Sequence, residues 1–119
     1  MKYLCLIYNQ EKNLAGFSKE QWDSLKEEYV AFTGSIKGSG HYLGGHSLQP
    51  TGTAKTVRVR DGKTSATDGP FAETNEQLGG YYLIEAKDLN DAIQVASKIP
   101  SSRIGSIEVR PIMEFNSQP

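Results

Sequence analysis

Hydrophobic positions along the chain follow two periods, and the change from one to the other marks the elements. Residues 2 to 8 are apolar or aromatic on both parities, Leu4, Leu6 and Tyr8 against Tyr3, Cys5 and Ile7, which predicts a strand covered on both faces. A loop from Asn9 to Phe17 follows. Ser18-Lys19-Glu20-Gln21 has the spacing of a capping box, in which Ser18 and Gln21 satisfy each other's free amides. Trp22, Leu25, Tyr29, Phe32 and Ile36 then recur at three- and four-residue spacing, predicting an amphipathic helix with one stripe toward a core. Gly38 and Gly40 end it, since glycine tolerates the left-handed conformation common after helix ends.

Residues 41 to 49 read as a second strand, interrupted by Gly44-Gly45, where a bulge is expected. Lys55 to Arg60 read as a third, with Val57 and Val59 inward and Thr56, Arg58 and Arg60 outward. Asp61-Gly62 is a hairpin turn signal that returns the chain through Lys63 to Thr67. Thr74 to Gln77 repeats the capping-box spacing and predicts a short helical turn. Tyr81 to Ala86 is again apolar on both parities and reads as a strand. Asp88 caps a second helix with Leu89, Ala92, Ile93, Ala96 and Ile99 as its buried stripe, and Pro100 stops it. Residues 105 to 115 supply the last strand, Pro111 demoting part of it to an edge or bulge. Residues 116 to 119 are expected to fray.

The order is strand, helix, strand, hairpin, strand, helix, strand. It predicts an α+β, ferredoxin-like antiparallel sheet with two helices on one face and an extra β-hairpin. Right-handed crossovers place both helices on the same side. Two helices cannot cover both faces, yet the first strand and residues 81 to 86 are apolar on both. A homodimer joined through the open sheet face is therefore expected.

Composition narrows the class further. At 119 residues the chain reads as one domain, 1–119, with ordinary globular proportions of apolar and charged residues. A net charge of -1 lacks the basic excess of a nucleic-acid binder, so no direct nucleic-acid contact is expected. No stretch approaches the ~20 apolar residues of a membrane span. The apolar start is too short for a signal peptide core, and the single cysteine excludes an internal disulfide. The expected compartment is the cytoplasm.

Candidate chemistry concentrates in Thr67 to Tyr82, which sets turn residues, carboxylates, amides and a ring directly before an apolar strand. Two readings are open for Asp68. Its carboxylate accepts amide hydrogens of its own turn, or the rigid Gly69-Pro70 turn presents it as an acid or base, with Phe71 as a wall. Proline restricts Gly69 to extended conformations. Glu73 is balanced between a solvated loop and a ligand contact, and Glu76 and Gln77 read as local caps. His46, after the expected bulge, is the histidine more suited to a site. His41 reads as a surface group near a helix C-terminus. Arg58 and Arg60 share one strand face, where they hold an anionic ligand or make salt bridges. Tyr8, Tyr81 and Tyr82 line a cleft or fill core and interface positions. Cys5 reads as an inert core residue. Two histidines without ligand-like spacing do not make a metal site. Walker, dinucleotide-binding, serine-elbow and paired-cysteine motifs are absent.

The segment Thr67 to Tyr82 resembles the signature of the YCII-related DGPF family, named for the tetrapeptide present as Asp68-Gly69-Pro70-Phe71. The similarity extends to Met1 through Tyr8, to Gly44-Gly45 with Leu48-Gln49-Pro50, to Thr56-Val57-Arg58 and to Ser106 through Met113. The resemblance implies the dimeric α+β barrel superfamily, without an external cofactor. Broader relatives are suspected enzymes with a histidine-aspartate pair in a cleft. The first helix here has no histidine, which leaves His46 with Asp68 as the available pair. Two functions are consistent with it. One is a barrel that binds a small polar or aromatic molecule through residues such as Phe71, Glu73, Arg58, Tyr8 and Tyr82, with acid-base chemistry at Asp68 and His46. The other is a non-catalytic ligand-sensing or partner-binding module linked to transcription, since family members recur beside or fused to extracytoplasmic-function sigma factors.

Overall fold

Two edges of one strand organise the chain. The computed structural model describes residues 1–115, which run β1 (Lys2–Asn9), α1 (Glu11–Ala15), α2 (Lys19–Gly38) and β2 (Tyr42–Ser47). They continue through β3 (Lys55–Arg60), β4 (Lys63–Asp68), β5 (Gln77–Glu85), α3 (Leu89–Ser97) and β6 (Ser106–Pro111). β1 pairs antiparallel with β5 on one side and β6 on the other, and β2 adds to β5. The resulting sheet has the order β2-β5-β1-β6, and β3 and β4 form a separate two-stranded sheet. This is the ferredoxin-like α+β arrangement.

Alternation along the strands divides the side chains between two faces. Tyr3, Cys5 and Ile7 of β1 join Tyr82 and Ile84 of β5 in the buried core. Phe32 and Ile36 of α2 and Ala92, Val95 and Ala96 of α3 complete it. Leu4, Leu6, Tyr8, Tyr81 and Leu83 occupy the alternate positions and stay partly exposed, because no helix among the described residues covers that face.

Local signals account for the helices. Ser18 Oγ accepts from the Gln21 amide at 3.1 Å and Gln21 Oε1 accepts from the Ser18 amide at 2.8 Å, so the expected capping box starts α2. Asp88 accepts from the Asp91 amide at 2.8 Å and caps α3. The bulge is also present, as a register shift between Tyr42 and Gly44. A Cβ on Gly80 would lie 2.9 Å from the His46 carbonyl oxygen, so only glycine lets β2 and β5 close to hydrogen-bonding distance.

Several expectations need correction. The loop from Asn9 to Phe17 contains α1, held because Glu11 accepts from the Thr51 amide at 2.8 Å and its hydroxyl at 2.6 Å. β5 begins at Gln77, so Thr74 to Gln77 forms no helical turn; Gln77 Nε2 donates to the Thr74 carbonyl at 2.6 Å instead. In α3, Val95 is buried while Leu89 and Ile93 stay half exposed, because the helix rests on the sheet along one narrow stripe. The last strand ends at Pro111 rather than continuing to 115. The expected frayed tail lies outside the described residues.

The hairpin departs most from the sequence reading. Asp61 and Gly62 have φ of 52° and 74°, as a two-residue mirror-image turn requires. Val57 and Val59 do not face inward but are 62% and 58% exposed. Among the described residues the hairpin has no second layer against it, and it projects as an arm. The radius of gyration, 16.4 Å, accordingly exceeds the roughly 13.5 Å expected of a compact chain of this length. Among the described residues no helix is long and apolar enough to cross a membrane.

Ile84 has no exposed surface and lies where both helices meet the central strands. Ile84→Ala is expected to lower unfolding free energy by about 2–5 kcal/mol, measured by urea titration. A loss well under about 1 kcal/mol would contradict this account of the core.

Candidate functional site

The open face of the sheet carries a row of chemistry assembled by strand register. His46 of β2 lies opposite Tyr81 of β5, Tyr81 opposite Leu6 of β1, and Leu6 opposite Glu108 of β6. The adjacent row runs from Gly44 through Leu83 and Leu4 to Arg110. Apolar side chains thus occupy the middle of the face and polar ones its two edges. His46 Nδ1 and the Tyr81 hydroxyl are 2.8 Å apart, with the rings tilted at 5.7 Å. On the other edge Glu108 accepts from the Tyr8 hydroxyl at 3.5 Å and from Arg110 Nε at 3.0 Å. Whichever way the proton lies between Tyr81 and Nδ1, His46 Nε2 has no partner among the described residues. An imidazole so oriented can exchange a proton with a bound molecule.

Tyr82 points the other way. Adjacent strand residues face opposite sides, and Tyr82 is buried against Phe32 and Tyr42 with its hydroxyl 2.7 Å from Thr33 Oγ1. Burial pushes its phenol pKa up. It therefore shares no surface with Tyr8 or His46. Cys5 lies in the same core, and burial pushes its thiol up to about 11, which keeps it protonated and unreactive near neutral pH.

Asp68-Gly69-Pro70-Phe71 forms the root of the arm. Asp68 sits opposite Lys55 and is ion-paired to it; its side chain is 87% exposed. The carboxylate does not close onto its own turn amides, because the cross-strand ammonium takes it. Gly69 has φ of 99° rather than the expected extended backbone, a conformation that favours glycine. It ties the root together: its amide donates to the Ala54 carbonyl at 2.8 Å and its carbonyl accepts from Thr56 Oγ1 at 2.9 Å. Phe71 is 80% exposed, with the Arg58 guanidinium 5.6 Å from its ring centre. Glu73 is exposed. Among the described residues, no hydrogen bond or ion pair joins His46 to Asp68.

Sequence reasoning missed a second histidine constellation. His41 Nδ1 is 2.6 Å from Ser39 Oγ, and Nε2 is 3.1 Å from Asp91 Oδ2. Asp91 Oδ2 also accepts from the Lys87 amide at 3.0 Å. The group clasps the end of α2 to the start of α3, and His41 is partly buried rather than a free surface group. The Lys87 amide first, and then His41, hold the Asp91 carboxyl below its ordinary value. No local spacing signals a contact between residues fifty positions apart.

Two of the hollows formed by the described residues lie near polar side chains. One, about 340 Å³, borders this clasp. The other, about 370 Å³, lies between the end of β1, α1 and the first turn of α2. Neither is lined by Asp68, His46, Phe71, Glu73, Arg58, Tyr8 or Tyr82.

A one-sided ferredoxin-like sheet with an Asp-Gly-Pro-Phe arm root defines an α+β protein with a projecting hairpin. The YCII-related domain model matches residues 1–116, and the chain belongs to that family. An uncharacterized protein of Rhizobium meliloti strain 1021 is 37% identical over 114 residues, covering 94% of this chain and 92% of the relative.

The clasp makes a pH prediction. A depressed Asp91 pKa adds stability above the unfolded-state value near 3.8, and that stability is lost as pH falls through the lower folded-state value. Asp91→Asn should therefore reduce the melting temperature at neutral pH, and the difference from wild type should shrink on acidification below the ordinary carboxylate range. A difference independent of pH would exclude this linkage.

Proposed function

We propose that this YCII-related chain acts as a homodimer joined through the open sheet face, and that it binds a small polar or aromatic molecule and exchanges protons with it through His46. The observation that carries the reading is the His46–Tyr81 hydrogen bond of 2.8 Å at the margin of an apolar, helix-free sheet face. Contact with water leaves Leu4, Leu6 and Leu83 a poor outer surface, and faces of this kind mark interfaces. In the dimer the arm root supplies Asp68, Arg58, Phe71 and Glu73 to the cleft, since Phe71 and the Asp68 side chain project from their own chain 80% and 87% exposed. Tyr8 lines the cleft from β1. No external cofactor enters this chemistry, which needs only a base and an oriented hydroxyl.

A second reading, a non-catalytic module that senses a ligand or binds a partner in transcription control, is favoured by the Lys55–Asp68 pair. A carboxylate neutralised by an exposed ammonium is placed for binding rather than for proton transfer.

Light scattering at micromolar concentration is expected to give twice the chain mass of 13.1 kDa, and Leu6→Arg is expected to give the monomer. A monomeric wild type removes the dimer. In a ligand-observed NMR fragment screen, compounds that bind the wild type should lose binding or shift their pH dependence with His46→Gln. Compounds indifferent to that substitution would remove His46 from the site. If a turnover substrate is found, Asp68→Asn should abolish activity while leaving the dimer intact; unchanged turnover removes Asp68 from the mechanism.

A further inference from the structure

We infer that the hollow between the end of β1, α1 and the first turn of α2 is a binding site for a neutral planar molecule carrying a carboxamide or lactam on a ring. This inference rests neither on the dimer nor on His46. The hollow measures about 370 Å³, at the small end of the range for ligand pockets. Leu14, Phe17 and Ile104 form apolar walls, and Gln10, Asn13 and Gln21 line it with amides.

Hydrogen-bond accounting gives those amides defined roles. Gln10 Oε1 accepts from Asn13 Nδ2 at 2.7 Å, which leaves Gln10 Nε2 as donor and Asn13 Oδ1 as acceptor. Gln21 Oε1 is committed to the Ser18 amide at 2.8 Å by the capping box, which leaves Gln21 Nε2 as a second donor. Asn9, also a lining residue, is committed inward, its Nδ2 donating to Ser101 Oγ at 3.3 Å. The rim thus offers two donor groups and an acceptor beside an aromatic ring.

No charged side chain lines the hollow. Glu11, the carboxylate of α1, is turned away to Thr51. A charged ligand would lose hydration there without a counter-ion, so a neutral amide is preferred. The rim is also held in place before binding, since the Glu11–Thr51 bonds and the Glu11 amide donating to Gln77 Oε1 at 2.9 Å anchor α1.

The test is an amide-shift NMR titration of the full chain with benzamide, against benzoate and benzylamine of the same ring size. Benzamide should move the signals of residues 9 to 21 and 104, with a Kd on the order of millimolar for so small a molecule. Gln21→Glu keeps the capping box, because glutamate serves equally at that position, but removes a donor; benzamide should weaken about tenfold or more. Ile104→Trp fills the hollow at a half-exposed position and should abolish binding while the spectrum remains folded. Absence of shifts at about 20 mM benzamide, a concentration well above the expected Kd, overturns the site. Equal binding of benzoate or benzylamine overturns the ligand class, and shifts centred elsewhere on the chain overturn the location.

Discussion

β1 is hydrogen-bonded on both edges, and nearly every other part of the molecule is placed by that fact. Tyr3, Cys5 and Ile7 on one side of β1 are matched across the ladder by Tyr82 and Ile84 of β5. Burying that set requires α2 and α3, and both lie on the same face. The opposite set, Leu4, Leu6, Tyr81 and Leu83, is equally apolar but has no helix to meet. A sheet of this size with two helices always leaves one such face. Here the face carries His46, Tyr81 and Glu108 at its margins, so the constraint that builds the core also exposes the candidate chemistry.

The arm follows from a different balance. Its turn and ladder are locally sufficient: Asp61 and Gly62 supply the two positive φ values, and six residue pairs form the register from Lys55–Asp68 to Arg60–Lys63. Yet a two-stranded hairpin is marginal on its own, and Val57, Val59 and Phe71 are exposed along it. Much of the crowded Asp-Gly-Pro-Phe segment is explained by closing this arm at its root. Gly69 bonds to Ala54 and Thr56, and Asp68 pairs with Lys55. The tetrapeptide that marks the family is first of all a structural joint.

The titratable groups divide by the surface they belong to. His46 faces outward beside Tyr81, where a partner molecule can reach it. His41 is committed to Ser39 and Asp91 and clasps two helix ends. Cys5 and Tyr82 are held protonated by burial. Of the four, only His46 combines hydrogen-bonded orientation with an unclaimed nitrogen. The amide-lined hollow beside α1 is a separate kind of surface, chemically neutral and suited to shape and hydrogen bonding.

The sequence by itself determined what depends on near neighbours. The Ser18–Gln21 box, the Asp61-Gly62 turn, the Asp88 cap and the strand and helix periods are set by dihedral preference and spacing, and together they imposed the ferredoxin-like order. The Asp-Gly-Pro-Phe segment was legible as a family signature for the same reason. Tertiary structure decided everything that joins distant positions. It set Tyr82 in the core and Tyr8 outside, turned Val57 and Val59 outward, gave Asp68 to Lys55 and paired His41 with Asp91. It also made a hollow of Gln10, Asn13 and Gln21. Apolar runs on both parities do not say which face the helices will cover, and no local spacing records a hydrogen bond across fifty residues. Those outcomes arise only when the layers close and each polar group takes the partner that packing brings within reach.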